Sequence, residues 1–474
     1  MTTLFNFING ELCTPKISDF LESQDGSYVL DALTLDPVSV MSSTDTETMD
    51  MALQIAHSID ASKSWQNNRN KTELFARLAN EMEPLISEFA LADCRDVGTL
   101  MSTANGLNGY GPLVCRNLNY LVKDKCFEWK ELLENGKVVG KMKHVPVGPI
   151  VVLAPTNAPL GSALIQVLRG LACGNPVIVK PSPWSPNSFN LLARAFIKAD
   201  FPKGVFQICH GGMEVGKYLV GSPLVKAICF TGSTKGGFEI AKSCATTLKP
   251  IAMEMSGCNP FIVLKGADLK KAVETLVQSL TMINGQYCCG PSKVIVHKDE
   301  LNPFIELFRS RVSQLVFGNP QDENTTLGPI CVGLLKSLKG QIEYLLSRDN
   351  SYAITGTDLK IPNVKGTFIP PTLIFMDTNV SMELFGPIAT LHSVKSVSEA
   401  ILLANQTDAI LKAYVFGKVS ETAMVIESVE TCWIDENEFD RGTPGLKEPH
   451  SWGGFSGFGH ATPDFFVKTV YVRN

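Results

Sequence analysis

From residue 148 to about 264 the chain alternates short apolar runs with helix-length amphipathic segments, and this alternation restricts the fold more than any other feature. The runs 148–154, 176–180, 205–209 and 226–230 read as buried strands. Between them lie a helix through Leu164, Leu168 and Leu171 that ends at Gly174, a second over 187–199 and a third over 214–220. Strands this apolar need cover on both faces, and connecting helices supply it. The pattern therefore predicts an α/β fold with a doubly wound parallel sheet. A second alternating series starts near Asn259, with strands at 260–264 and 294–297, helices at 269–283 and 303–315, and further units to about 440.

The flanking regions differ. Residues 4–8 form a strand-like piece ending in Asn9-Gly10. Helical periodicity follows, with Ala52, Ile55, Ala56 and Ile59 on one face and Leu74, Leu78 and Met82 on another. Segments 126–130 and 137–142 flank Glu134-Asn135-Gly136, which predicts a polar hairpin with an Asn-Gly turn. Residues 466–472 alternate as a strand should. A chain of 474 residues exceeds one ordinary core, so two or three domains are expected.

Composition narrows the function classes. A net charge of −5 without a basic block argues against nucleic acid. The most apolar region, 148–179, is interrupted by Pro155, Asn157, Arg169 and Asn175, so no membrane span is expected. The N-terminus lacks a basic segment followed by an apolar core, and the 13 cysteines contain no Cys-x-x-Cys pair. Reduced thiols and a cytoplasmic protein follow. The seven histidines never pair at ligand spacing, so no metal site is expected.

Several residues carry potential chemistry. Cys288, within Gly285-Gln-Tyr-Cys-Cys-Gly-Pro291, sits in a glycine-flanked loop after a helix, where a thiolate could reach a carbonyl. Cys289 could equally be the nucleophile or a redox partner, and most cysteines are simply buried. Glu254, among Ile251, Ala252, Met253 and Met255, has the apolar surroundings that make a carboxylate a general base near neutral pH; a strand-end acid facing water looks the same. Asn157 follows the first strand, where ligands meet an open α/β sheet, and its amide could donate to an oxyanion. Lys180 ends a strand before Pro181-Ser182-Pro183 and could meet a ribose or phosphate. Gly232-Ser233-Thr234 opens a helix after a strand, which suits a pyrophosphate without being the GxGxxG fingerprint. Glu383 and Phe385 could bind a ribose and pack on a nicotinamide ring. Alone, each of these could also be an ordinary turn or surface residue.

Together and in this order the segments resemble the aldehyde dehydrogenase superfamily, from about residue 5 to the end. The resemblance rests on Gly-Gln-Tyr-Cys288, Met-Glu254-Met-Ser-Gly, Pro-Thr-Asn157-Ala-Pro, Gly-Asn-Pro-Val-Ile-Val-Lys180-Pro, Phe-Thr-Gly232-Ser233-Thr and Glu383-Leu-Phe385-Gly-Pro. It implies NAD(P)-dependent oxidation of an aldehyde to an acid. Cys288 would form a thiohemiacetal held by Asn157, hydride would pass to NAD or NADP, and Glu254 would activate water on the thioester. Lys180, Ser182, Gly232, Ser233, Glu383 and Phe385 would bind the cofactor. A dinucleotide-binding domain (1–125 and 147–253), an α/β catalytic domain (254–450) and a small β oligomerisation region (126–146 and 460–474) are implied, in a homodimer or homotetramer.

Departures from the family pattern bear on substrate and cofactor. Thr156 and Ala158 stand where Trp and Phe are usual, which would widen the aldehyde channel, and Ile165 is not aromatic either. Pro183 stands where a Glu is common in NAD-preferring members, Met382 replaces a common acid, and Trp452-Gly-Gly-Phe-Ser-Gly457 is short. Residues 94–125 match poorly. Two other readings remain at this stage: a CoA-acylating aldehyde dehydrogenase, against which Glu254 argues, and a dormant nucleotide-binding thiol sensor using Cys288-Cys289.

Overall fold

The computed structural model describes residues 2–13, 28–118, 128–355, 361, 364–407, 409–431, 433–438, 457–458 and 463–473. Its frame is two large sheets. The first has eight strands in the order Gly457–Phe458, Ile251–Met255, Ala227–Gly232, Ile150–Leu153, Val177–Lys180, Phe206–Ile208, Asn6–Ile8 and Glu11–Cys13. Its five strands from Ile251–Met255 to Phe206–Ile208 are parallel, as expected, and the outer strands pair antiparallel. Helices Pro159–Ala172, Asn187–Lys198, Met213–Gly221 and Thr234–Ala245 connect the parallel strands. Leu168 and Leu171 are fully buried, each contributing about 2 kcal/mol.

The second sheet has seven strands, ordered Tyr352–Ala353, Thr372–Phe375, Ile388–Val394, Pro291–His297, Asn259–Val263, Lys412–Phe416 and Trp433–Glu436. All but the first pairing are parallel. The helix Leu269–Thr281, capped by the Asp268 carboxylate accepting from the Lys271 N–H at 3.1 Å, leads into the cysteine loop. It ends two residues before the expected 283, because the chain turns left-handed there: Ile283, Asn284 and Gly285 have φ of 49°, 56° and 76°.

The hairpin forms at its predicted turn. Asn135 and Gly136 have φ of 51° and 77°, between strands Lys130–Glu134 and Lys137–Pro146. The tail strand Val467–Arg473 pairs antiparallel along Lys137–Pro146, so hairpin and tail make one three-stranded sheet. Leu133, Val138 and Tyr471 are exposed on it. The strand read at 126–130 lies outside the described residues as far as 127, as do residues 452–456 of the short segment at 452–457 and residues 119–125 of the poorly matching region. Among the described residues no helix is long and apolar enough to cross a membrane.

Within the second sheet, Lys412 is wholly enclosed and its Nζ lies 2.6 Å from Asp435 Oδ2 on the adjacent strand. Its ammonium also faces the Tyr414 and Trp433 rings, at 4.9 and 5.4 Å from their centroids. Removing one partner of such a pair leaves a charge enclosed without its counter-ion. Lys412→Met is therefore expected to cost about 3 kcal/mol in urea unfolding at neutral pH, with Asp435→Asn in the same background recovering part of it.

Candidate active site

The cysteine loop is held from several sides by side-chain amides. Asn284 donates to the carbonyls of Gly98 (2.6 Å) and Pro329 (3.1 Å) and accepts from the Gly328 N–H (2.8 Å). Gln286 donates to Val97 O and Ile283 O and accepts from the Cys331 N–H. Both amides are fully buried. Asn259, at the head of the second sheet, donates to Cys288 O (2.8 Å) and Gly290 O (2.9 Å) and accepts from the N–H groups of Leu411 (2.9 Å) and Lys412 (3.1 Å). From behind, the Tyr414 hydroxyl donates to Cys289 O at 2.8 Å. Left-handed geometry at a β-branched residue such as Ile283 costs about 1–2 kcal/mol, which these bonds offset. At Gly285 a Cβ would lie 2.1 Å from Pro387 N, so the loop closes on the 386–387 backbone with no room for a side chain.

This scaffold presents Cys288 to Glu254. The carboxylate stands on Ile251–Met255, a strand of the first sheet, and its Oε1 lies 3.8 Å from Cys288 Sγ. Burial pushes the Glu254 carboxyl above its ordinary value, and the contact with Cys288 pulls against it. The Cys289 thiol, 3.8 Å away, then burial and the Glu254 charge, push the Cys288 thiol well up. The resting sulfur is therefore a thiol, and its reactivity depends on a nearby proton acceptor. A carboxylate with a raised pKa is a better acceptor than an ordinary one. Asn157 Nδ2 donates to Gln286 O at 2.8 Å. That bond uses one amide hydrogen and fixes the direction of the other.

Cys288, Glu254 and Asn157 line one cleft of about 480 Å³ with Gly232, Ser233, Glu383 and Phe385. The cleft lies at the C-terminal ends of the parallel strands of the first sheet, as expected for an open α/β sheet. Ser233 caps the helix Thr234–Ala245, accepting from the Gly236 N–H at 3.2 Å, and no acid stands in that helix's first turn. A helix N-terminus, a carboxylate at Glu383 and an aromatic at Phe385 are the donor, acceptor and stacking groups that a dinucleotide needs, so the residues fit such a group. Lys180 and Ser182 do not line this cleft. Lys180 Nζ donates to Pro181 O at 3.0 Å, and burial lowers its pKa to about 8. Ser182 reaches the wall indirectly, through a 2.7 Å hydrogen bond to Thr156.

The positions that depart from the family pattern are now located. Thr156 is part of the cleft wall. Ala158 is buried in a cluster with Val97, Ile283 and Cys331, against which Leu107, Trp184 and Tyr287 pack, so neighbours fill the space its small side chain leaves. Sequence reasoning missed Trp184, Ser256 and Gln341, which also line the cleft. Ser256 was visible inside the quoted motif. Gln341, on the helix Val332–Leu346, carries no local signal.

The profile of the aldehyde dehydrogenase family matches residues 21–471. The chain belongs to the aldehyde dehydrogenase family. An aldehyde dehydrogenase-like protein of Schizosaccharomyces pombe, itself described as putative, is 32% identical over 385 residues, 77% of this chain and 75% of its own. A putative aldehyde dehydrogenase of Staphylococcus aureus is 26% identical over 478 residues, covering 98% of this chain and 96% of its own. The solved structure of a betaine aldehyde dehydrogenase from Staphylococcus aureus has the same fold, with a TM-score of 0.90 at 21% identity over 99% of this chain and 94% of that one. This aldehyde dehydrogenase is thus an oxidoreductase acting on the aldehyde group, the activity expected from its motifs.

Asn284→Ala removes three buried hydrogen bonds at a left-handed position. The expected loss is about 3 kcal/mol in denaturant unfolding, with iodoacetamide labelling of Cys288 slowed several-fold in the folded protein.

Proposed function

We propose that Cys288 is the nucleophile of this dehydrogenase, Glu254 its base and Asn157 its oxyanion donor. The observation that carries this reading is the 3.8 Å approach of the Cys288 thiol to the Glu254 carboxylate within one cleft that Asn157 also lines. In the first step the thiol proton passes to Glu254 as the sulfur bonds to the aldehyde carbon. The resulting oxyanion accepts from the second Asn157 N–H and from the Cys288 main-chain N–H. These donors hold the tetrahedral geometry from which hydride departs and leaves a thioester. When bound, NAD or NADP supplies the acceptor for that hydride. Glu254 releases the thiol's proton to solvent through the open cleft and then takes one from water, which it returns to the sulfur as the carbon–sulfur bond breaks. The water oxygen attacks the thioester carbon, and the acid leaves as the thiol is restored.

Cofactor binding falls to Gly232, Ser233, Glu383 and Phe385, which line the cleft; Ser182, expected to bind it directly, acts through its hydrogen bond to Thr156, and Lys180 lies outside the lining. Gly232 and Ser233 offer the helix N-terminus to the pyrophosphate, Glu383 accepts from a ribose, and Phe385 packs on the nicotinamide. The betaine aldehyde dehydrogenase of the same fold was solved in complex with NAD+, which supports this assignment. The first sheet with its helices serves as the dinucleotide-binding domain and the second as the catalytic domain; the expected boundary at 254 falls inside the first-sheet strand Ile251–Met255, and the second sheet's first strand begins at Asn259. The exposed apolar residues of the hairpin–tail sheet support its role as the contact surface of a cytoplasmic homodimer or homotetramer.

Cys288→Ala is expected to abolish NAD(P)H production across an aldehyde panel; retained turnover would remove Cys288 as nucleophile. Glu254→Gln should slow the first reduction of cofactor as well as steady-state turnover, the latter about 100-fold or more, because neither the thiol nor water then has its proton acceptor. Unchanged steady-state rates would remove Glu254 as base. The base works only when ionised, and burial raises its pKa. In the wild type the acid limb of kcat should therefore break above the ordinary carboxylate value of 4.5, activity falling as pH drops through that break. Added CoA should leave rate and product unchanged; an acyl-CoA product would move the enzyme to the acylating class.

A further inference from the structure

Glu383 lies in the loop between strands Thr372–Phe375 and Ile388–Val394 of the second sheet. Its main chain is pinned: Gln341 Nε2 donates to Glu383 O at 2.8 Å, and Ser292 Oγ accepts from the Leu384 N–H at 3.1 Å. Its side chain is held from the other half of the molecule. Ser256, on the connection 256–258 between Ile251–Met255 and Asn259–Val263, donates its hydroxyl to Glu383 Oε1. Ser256 O in turn accepts from Thr234 Oγ1 at 3.5 Å, at the start of the helix that Ser233 caps. Ser256 and Glu383 both line the cleft that holds Cys288 and Glu254. Ser256 stands two residues after Glu254.

We infer that Ser256 is a positioning residue for cofactor binding: its hydroxyl orients the Glu383 carboxylate across the cleft, ready to accept from a ribose diol. The inference rests on the reading of Glu383 as a ribose acceptor. A carboxylate has about four acceptor sites, so one bond from Ser256 leaves the others for the ligand while fixing the rotation of the group. Burial drives the Glu383 carboxyl above its ordinary value, and the Ser256 hydroxyl works against that drive. Among the described residues Cys258 feels the Glu383 charge, and burial holds its thiol above its ordinary range, so it stays neutral from about pH 5 to about pH 8; Lys235, Glu254 and Cys288 share the cleft with Glu383. Loss of the Ser256 hydroxyl therefore moves the Glu383 titration upward. Cofactor affinity then falls at a higher pH than in the wild type as the solution is acidified.

The test is the Kd for NADH and NADPH, read from tryptophan fluorescence with Trp184 in the cleft wall as reporter, from about pH 5 to about pH 8. Ser256→Ala should weaken binding of the preferred cofactor roughly tenfold near neutral pH and more in acid, and Ser256→Thr should restore it. Glu383→Gln should weaken binding to a similar degree without the pH dependence. The double variant should bind no worse than Glu383→Gln alone. A Ser256→Ala loss that is absent, or the same at every pH and additive with Glu383→Gln, would overturn the role of Ser256 while leaving Glu383 as the ribose acceptor. An unchanged Kd in Glu383→Gln would bring down the ribose reading and this inference with it.

Discussion

The side-chain amide of Asn259 satisfies four hydrogen-bonding positions at once, two on the cysteine loop and two at Leu411 and Lys412, where the neighbouring strand Lys412–Phe416 begins. The rest of the site depends on that junction. The thiol must be exposed to a substrate, so it cannot be packed into a strand, yet it must meet a carboxylate carried by a different sheet. The loop that resolves this conflict adopts left-handed geometry at 283–285 and would be expensive in isolation. Asn259, Asn284, Gln286 and Tyr414 convert it into a rigid platform by giving its backbone fixed partners. Each is buried, so losing one strands a polar group away from water, and the platform should fail cooperatively rather than loosen by degrees.

Across the cleft the electrostatics are arranged by enclosure rather than by opposite charges. Glu254, Glu383 and Cys288 are all shifted toward their neutral forms, largely by burial and by one another's neighbours. Enclosed in this way, the Glu254 carboxylate holds a proton more readily than an exposed one and can take the proton that Cys288 gives up. A strong ion pair would trap that proton. The cost falls on ligand recognition, because a carboxyl group that is too easily protonated is a poor acceptor. Hydroxyl donors such as Ser256 offset that cost locally.

Much of this was legible in the order of the residues. Strands such as 150–153 and 177–180 are apolar on both faces, and only a covered parallel sheet can bury them, so the first sheet followed directly. Asn157 and Gly232 fall at strand ends, where the topology of such a sheet puts its ligands. What stayed hidden is tertiary. The apolar spacing of 269–283 reads as helix to its end, and only the packing of Gly285 on Pro387 explains why the chain turns sooner. Lys180 belongs to a motif, but its ammonium turns to its own neighbour's carbonyl and away from the cleft wall. Gln341 acts through an amide on a helix whose sequence is otherwise unremarked, and nothing local marks it. Ala158 looked like a missing wall until Tyr287 and Trp184 were seen packed against its cluster.

One pairing has a consequence for how the molecule is made. The strand that carries Glu254 acquires its outer neighbour, Gly457–Phe458, from about two hundred residues further along the chain. On a ribosome that neighbour emerges roughly ten to forty seconds after the base itself, at ordinary elongation rates. Until then the edge of Ile251–Met255 offers unpaired backbone groups to any extended segment nearby. The first sheet is therefore at its most aggregation-prone when the nucleophile loop has already been synthesised but its sheet is still open. Yield of this enzyme should thus respond to translation speed and to chaperone supply, even where the stability of the finished molecule does not change.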